Sequence, residues 1–130
     1  MTVVVDASVA VAALVETGPD GEWAEQVLAS GALAAPHLLP AEVAYVIARA
    51  ASAGEISGDV ASLAHADLVD LRVELFAYEN LAPRIWELRH NITAYDAWYV
   101  ALAEMLDAPL ATLDARLTNA PGTRCEFLST

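Results

Sequence analysis

This 130-residue chain contains no lysine, and its six basic residues stand against 18 acidic ones, for a net charge of −12. A surface that acidic repels polyanions and suits cations or basic partners; for most of the acids solubility is reason enough. Cysteine is almost absent. Cys125 alone can form neither an intrachain disulfide nor a cysteine-based zinc site. Hydrophobic runs are short. Ala7 to Val15, the most apolar early run, falls well below the roughly 18 residues a membrane span needs. No basic n-region precedes it, so no secretory leader is expected. A cytoplasmic protein that does not enter the membrane is the simplest expectation.

What is abundant is apolar: 57% of the residues are hydrophobic and the mean hydropathy is positive, which excludes a disordered chain. The length suits one domain around one core. Thr2 to Val5, "TVVV", is a β-branched run that predicts a buried strand. A helix of small apolar residues follows, "ASVAVAALV", then a turn at 17–21 and an amphipathic helix ended by Gly31. "ALAAP" (32–36) predicts a strand, and Pro40 opens a helix that Gly54 ends. Ser57 caps another helix reaching about Asp70. A strand at 72–78, a helix at 81–90 and a helix from Thr93 to about Asp107 come next. Strands at 109–113 and 124–128, with a short helix after Asp114, complete the chain. Alternation of this kind predicts an α/β fold with a mostly parallel sheet and helices on both faces.

The helix beginning "TAYDAWYVALAE" is apolar on nearly every side yet carries Asp96 in its first turn. Three further acids share that address. Asp6 ends the first strand, Glu42 opens the helix after the 32–36 segment, and Asp114 lies just beyond the 109–113 strand. Each has a plain reading as a helix cap or dipole partner, Asp96 because Thr93-x-x-Asp96 has capping-box spacing. Taken together they point further. Ligands of open α/β sheets bind outside the carboxyl ends of the strands. Converging carboxylates repel, by about 4 kcal/mol at 4 Å and an effective dielectric of 20, so a cation or protonation must offset them. Four acids without nearby histidine or cysteine suit Mg²⁺ or Mn²⁺ better than Zn²⁺. Metal-activated water and a stabilised leaving oxygen would serve phosphodiester hydrolysis.

Rival acidic pockets fail on the sequence. A phospho-acceptor receiver domain and a haloacid-dehalogenase-like phosphatase both need a lysine, and the second also needs an Asp two residues after Asp6, where Ser8 stands. GxxxxGK, GxGxxG and GxSxG are absent.

"VVVDASVAVAAL", "APHLLPAEVAYVIARA", "ITAYDAWYVALAE" and "LATLDARL", in that order, resemble the four motifs of PIN-domain ribonucleases, specifically VapC-type toxins of toxin–antitoxin pairs. The resemblance covers nearly the whole chain. It implies a single PIN domain over residues 1–130, with three α/β/α layers, that forms a homodimer. It further implies a Mg²⁺- or Mn²⁺-dependent endoribonuclease restrained by a cognate VapB-type antitoxin. Carried over residue by residue, Asp6 and Asp96 become the core metal ligands, Asp114 and Glu42 complete the catalytic pocket, and Ser8 and Thr112 support it. Two alternatives are a non-catalytic PIN-like module that binds a basic peptide and a PIN nuclease of RNA processing. Arg116, two residues past Asp114, is the candidate phosphate contact on the RNA substrate, with Arg84 and Arg89 behind it. Shape, rather than a basic footprint, is expected to select the RNA.

Other residues are read as structural. His37, His65 and His90 lack ligand spacing, Cys125 is a small core residue, and Trp23, Trp86 and Trp98 fall at core or dimer-interface positions. Asp67, Asp70 and Asp107 read as solvated helix charges.

Overall fold

A computed structural model describes all 130 residues. Thr2–Val5 forms β1, and its Val3, Val4 and Val5 are fully inaccessible to solvent. A strand buried on both faces reads as a continuous apolar run, which is why no alternation marks it. Ala7–Val15 (α1) and Pro19–Ala29 (α2) follow, then Ala32–Pro36 (β2), Leu39–Ser52 (α3), Gly58–Asp70 (α4) and Val73–Phe76 (β3). A 3₁₀ turn at Glu79–Leu81 leads into Ala82–Glu87 (α5) and Ala94–Leu106 (α6). Leu110–Ala111 (β4), Ala115–Thr118 (α7) and Phe127–Leu128 (β5) close the chain.

The five strands lie in the order β3-β2-β1-β4-β5 and every neighbouring pair is parallel. From β1 the chain steps one way through β2 to β3, then crosses back to β4 and β5. Right-handed crossovers in opposite directions place the connecting helices on opposite faces. This makes the three-layer α/β/α sandwich expected from the sequence. On one face α6 packs against β1, β2 and β4 and is itself backed by α5. The α1–α4 helices pack on one another in the other layer. One core of 29 buried residues runs through the structure.

The order reverses between β1 and β4. That reversal opens a crevice at the carboxyl edge of the sheet, and the crevice is where chemistry belongs in such folds.

Several boundaries differ from the sequence expectation. The 72–78 strand shrinks to Val73–Phe76, because Leu71 caps α4 and the chain turns into the 3₁₀ segment at Tyr78. The 109–113 strand pairs only at Leu110 and Ala111, and the 124–128 strand only at Phe127 and Leu128. The 81–90 helix is only α5, since Leu88 is its C-cap and donates its N–H to the Arg84 and Ile85 carbonyls. Residues 19–21, read as turn, already belong to α2.

The helix α6 is not buried on all sides: Tyr95 and Met105 are 62% and 49% exposed. Nor is Trp86 a core residue. It is 65% exposed and lies under the Arg89 guanidinium, 4.5 Å from the ring centroid. Cys125 is half-buried at the edge of the core, where burial pushes its thiol up to about 11. Asp107 does more than carry charge; its left-handed backbone (φ 50°) ends α6. His37, His65 and His90 are all exposed. No helix is long and apolar enough to cross a membrane.

Candidate active site

Asp6 is the residue at which β1 becomes α1. Its extended backbone (φ −93°, ψ 174°) makes it the N-cap, and its Oδ1 accepts the Val9 N–H at 3.1 Å and the Ser8 hydroxyl at 2.5 Å. Asp6 is 7% exposed, a rare depth for a carboxylate. Ser8 works in two directions. While its hydroxyl donates to Asp6, its Oγ accepts the Leu113 N–H at 3.0 Å. It therefore ties the end of β1 to the residues just past β4, across the reversal of strand order. The Asp6 N–H completes the tie by donating to the Ala111 carbonyl.

Thr112 sits fully buried beyond β4. Its Oγ1 accepts the Asp114 N–H at 3.0 Å, and its own N–H donates to the Leu128 carbonyl. Asp114, so placed, caps α7: its Oδ1 accepts the Arg116 N–H at 2.9 Å. The Arg116 side chain returns over Asp114 at 3.5 Å, almost fully exposed.

Glu42 and Asp96 come from opposite layers. Neither caps its helix. Thr93 is the N-cap of α6, its Oγ1 accepting the Asp96 N–H at 3.2 Å. Only this half of the capping box forms, and the Asp96 carboxylate is left to face the other acids. Glu42, in the first turn of α3, accepts the Tyr99 hydroxyl on Oε1 at 2.6 Å.

The four acids form a chain of neighbours. Burial raises Asp96, and the charges of Asp114 and Asp6 add to it, against Arg116 and the Thr93 hydroxyl. Glu42 is raised by burial, and by Asp96 and Asp6, against the Tyr99 bond. Asp6 is raised by burial, against the hydrogen bonds it accepts from Ser8 and Val9. Asp96 thus feels both Asp114 and Asp6, Glu42 feels Asp96 and Asp6, and Asp114 lies beside Arg116. Arg116 is the one cation that acts on the group. Asp6 and Asp114 are the helix caps the sequence suggested. Glu42 and Asp96 lie in the first turns of α3 and α6 as dipole partners without capping them.

Their donor set fits a hard divalent ion: all oxygen, mutually repelling, with charge that one exposed arginine does not neutralise. No three acidic, histidine or cysteine side chains stand close enough together, as they lie here, to hold an ion. What favours a hard ion at this edge is the all-oxygen chemistry of the donors. A cleft of about 580 Å³ lies elsewhere, beside Glu104, Arg124 and Cys125. Its Glu104 carboxylate is already paired with Arg84.

Sequence reasoning missed Tyr99, reading it as one more apolar residue of a buried helix. A signal existed. Tyr99 is three residues past Asp96, on the same helical face, and a buried tyrosine hydroxyl usually finds a partner.

Residues 3–122 match the family described as PIN domain. Over 125 residues the chain is 44% identical to Ribonuclease VapC1 of Mycobacterium tuberculosis, covering 95% of this chain and 94% of that protein. Ribonuclease VapC9 of the same species is 39% identical over 123 residues, with the same coverage of 95% and 94%. Among solved structures, VapC20 of Mycobacterium tuberculosis, described as a Sarcin-Ricin loop cleaving toxin, superposes with a TM-score of 0.69 at 18% identity, over 94% of this chain and 96% of that one. Rickettsia felis VapBC2 bound to a DNA fragment from its promoter gives 0.69 at 16% identity, over 100% and 99%. These two structures bear on the fold alone.

Proposed function

Since this chain belongs to the PIN-domain family, and within it to the VapC-type ribonucleases, we propose that it is an endoribonuclease toxin that hydrolyses RNA phosphodiesters and is held in check by a cognate VapB-type antitoxin. The observation that carries this reading is the carboxylate cluster. Asp6, Glu42, Asp96 and Asp114 come from both helical layers to the sheet edge where the strand order reverses, and the charges of Asp6 and Asp114 act on Asp96 as those of Asp96 and Asp6 act on Glu42.

Asp6, Asp96, Asp114 and Glu42 would hold the divalent ion, Mg²⁺ or Mn²⁺. When bound, such an ion supplies Lewis acidity toward water and toward a phosphate's oxygens. The chain's own residues do the rest. Ser8 and Thr112 fix Asp6 and Asp114 across the β1–β4 crevice, Tyr99 orients Glu42, and Thr93 holds the backbone N–H of Asp96. Arg116, at the rim, is placed to meet a phosphate of the RNA. The acidic groove suits a basic segment of the antitoxin. Residues 1–130 act as a single PIN domain, and the exposed Tyr45, Trp86, Tyr95 and Met105 offer apolar surface for homodimerisation in the cytoplasm.

Purified, antitoxin-free protein incubated with total cellular RNA tests the reading. Discrete fragments are expected with Mn²⁺ or Mg²⁺, none with EDTA, and none from Asp96→Asn under any condition. Cleavage that survives EDTA or persists in Asp96→Asn would overturn it.

A further inference from the structure

Tyr99 is 2% exposed and its hydroxyl has a single partner, Glu42 Oε1 at 2.6 Å. The two residues are 57 positions apart in sequence; α3 and α6 bring them together from different layers. Little of the residue is open to solvent that could replace that acceptor. Turning Glu42 away would leave a buried donor unpaired, which is costly. Glu42 is therefore fixed through one oxygen, and Oε2 is the atom left for a ligand. Asp6 follows the same pattern: its Oδ1 is taken by the Ser8 hydroxyl and the Val9 N–H.

Divalent ions differ in what they ask of a carboxylate. Ca²⁺ gathers six to eight oxygens and often takes both from one carboxylate, whereas Mg²⁺ holds to an octahedron, keeps water and accepts single oxygens. A site whose inner carboxylates are each tied by one oxygen is short of what Ca²⁺ needs and sufficient for the smaller ions.

Given the reading above that this edge takes a divalent ion, we propose that Tyr99 is a positioning residue that sets its ion preference: by holding Glu42 through Oε1, it limits that carboxylate to single-oxygen ligation and disfavours Ca²⁺ relative to Mg²⁺ and Mn²⁺.

Tyr99→Phe removes the hydroxyl and keeps the ring that fills the core, so the fold survives. Dissociation constants for Mn²⁺, Mg²⁺ and Ca²⁺ are measured by calorimetric titration of the metal-stripped full chain, without RNA. Wild type, Tyr99→Phe, Glu42→Ala and the double variant are compared. Wild type is expected to bind Mn²⁺ and Mg²⁺ more tightly than Ca²⁺. In Tyr99→Phe the ratio moves about tenfold toward Ca²⁺, the lower end of what outer-shell partners of metal ligands control. In the Glu42→Ala background the same change has no effect on the ratio. An unchanged ratio in a protein that binds Mn²⁺ overturns the role of Tyr99 alone. So does an equal shift with Glu42 absent. A wild type that binds no divalent ion overturns the metal reading of the site, and this inference with it.

Discussion

Helix α6 carries two partly buried acids with opposite fates. Glu104, near its end, is surrounded by donors. Arg84 reaches it with Nε at 2.7 Å and with NH2 at 3.2 Å, and the Arg124 N–H donates at 2.8 Å. The same guanidinium donates to the Gly122 carbonyl. These partners pull the Glu104 carboxyl below its ordinary value despite burial. Asp96, at the start of the helix, is raised by burial and by Asp114 and Asp6. One carboxylate staples α5, α6 and the C-terminal segment together. The other stands half-buried beside like charges, which makes it costly to ionise. Donors dominate the surroundings of Glu104, whereas after burial the strongest influences on Asp96 are other acids.

The sharpest way to break this comparison is to neutralise each acid in turn and assay RNA cleavage. Asp96→Asn is expected to reduce cleavage to background, while Glu104→Gln retains kcat at a temperature where it is folded. Comparable losses in both would remove the distinction. Stability should move the other way. In divalent-free buffer Glu104→Gln is expected to cost about 2 kcal/mol, since charged hydrogen bonds are lost and Arg84 is stranded. Asp96→Asn gains about half a kcal/mol, because its repulsions are screened by solvent. Denaturant melts of the two variants check both signs.

Acidity separates the two ends again. The folded carboxyls of Asp6, Glu42 and Asp96 lie above their ordinary 3.8, 4.5 and 3.8. Between ordinary and raised values the folded chain holds more protons than the unfolded one. Their contribution to stability is present below the ordinary values and is lost as pH rises through the raised ones. Glu104 runs opposite: its contribution is present above its ordinary 4.5 and is lost as pH falls through the lowered folded value. Melting curves in EDTA should therefore show Asp96→Asn gaining on wild type as pH rises from acid to neutral. Glu104→Gln should approach wild type as pH falls.

The smallest expected effect is at the rim. Arg116→Ala should raise the KM for RNA by no more than about fivefold, the range of an exposed ion pair, with kcat and melting temperature unchanged. A loss of kcat instead would place Arg116 among the reacting groups.

Much of this was legible beforehand because it is local. A β-branched run, an Asp at the strand end, Pro40 in a first turn and Ser57 before a helix each act within a few residues. Asp6, Glu42, Asp96 and Asp114 could be read because all four sit at helix starts, which pattern locates well. The comparison between Asp96 and Glu104 could not be read, because Arg84 and Glu104 are 20 residues apart in sequence and meet only when α5 packs on α6. Tyr99 was hidden for the same reason. The short β4 and β5 were overestimated because an apolar run shows burial but not how many residues find a pairing partner. Tyr95 and Met105 looked buried because α6 is rich in apolar residues around its whole circumference, and only packing decides which side faces out.

The tie between Ser8 and Leu113 spans 105 residues, and β1 gains its second neighbour only when β4 arrives. Pairing of such separation is slow to form, since a long loop must close first. During synthesis, Asp6 emerges early and waits for nearly the entire remaining chain before Asp114 and Thr112 exist beside it. Thr112 in turn needs the Leu128 carbonyl. The two halves of this sheet edge therefore come together only once the C-terminal strands have been made, so the site is among the last parts of the fold to take shape.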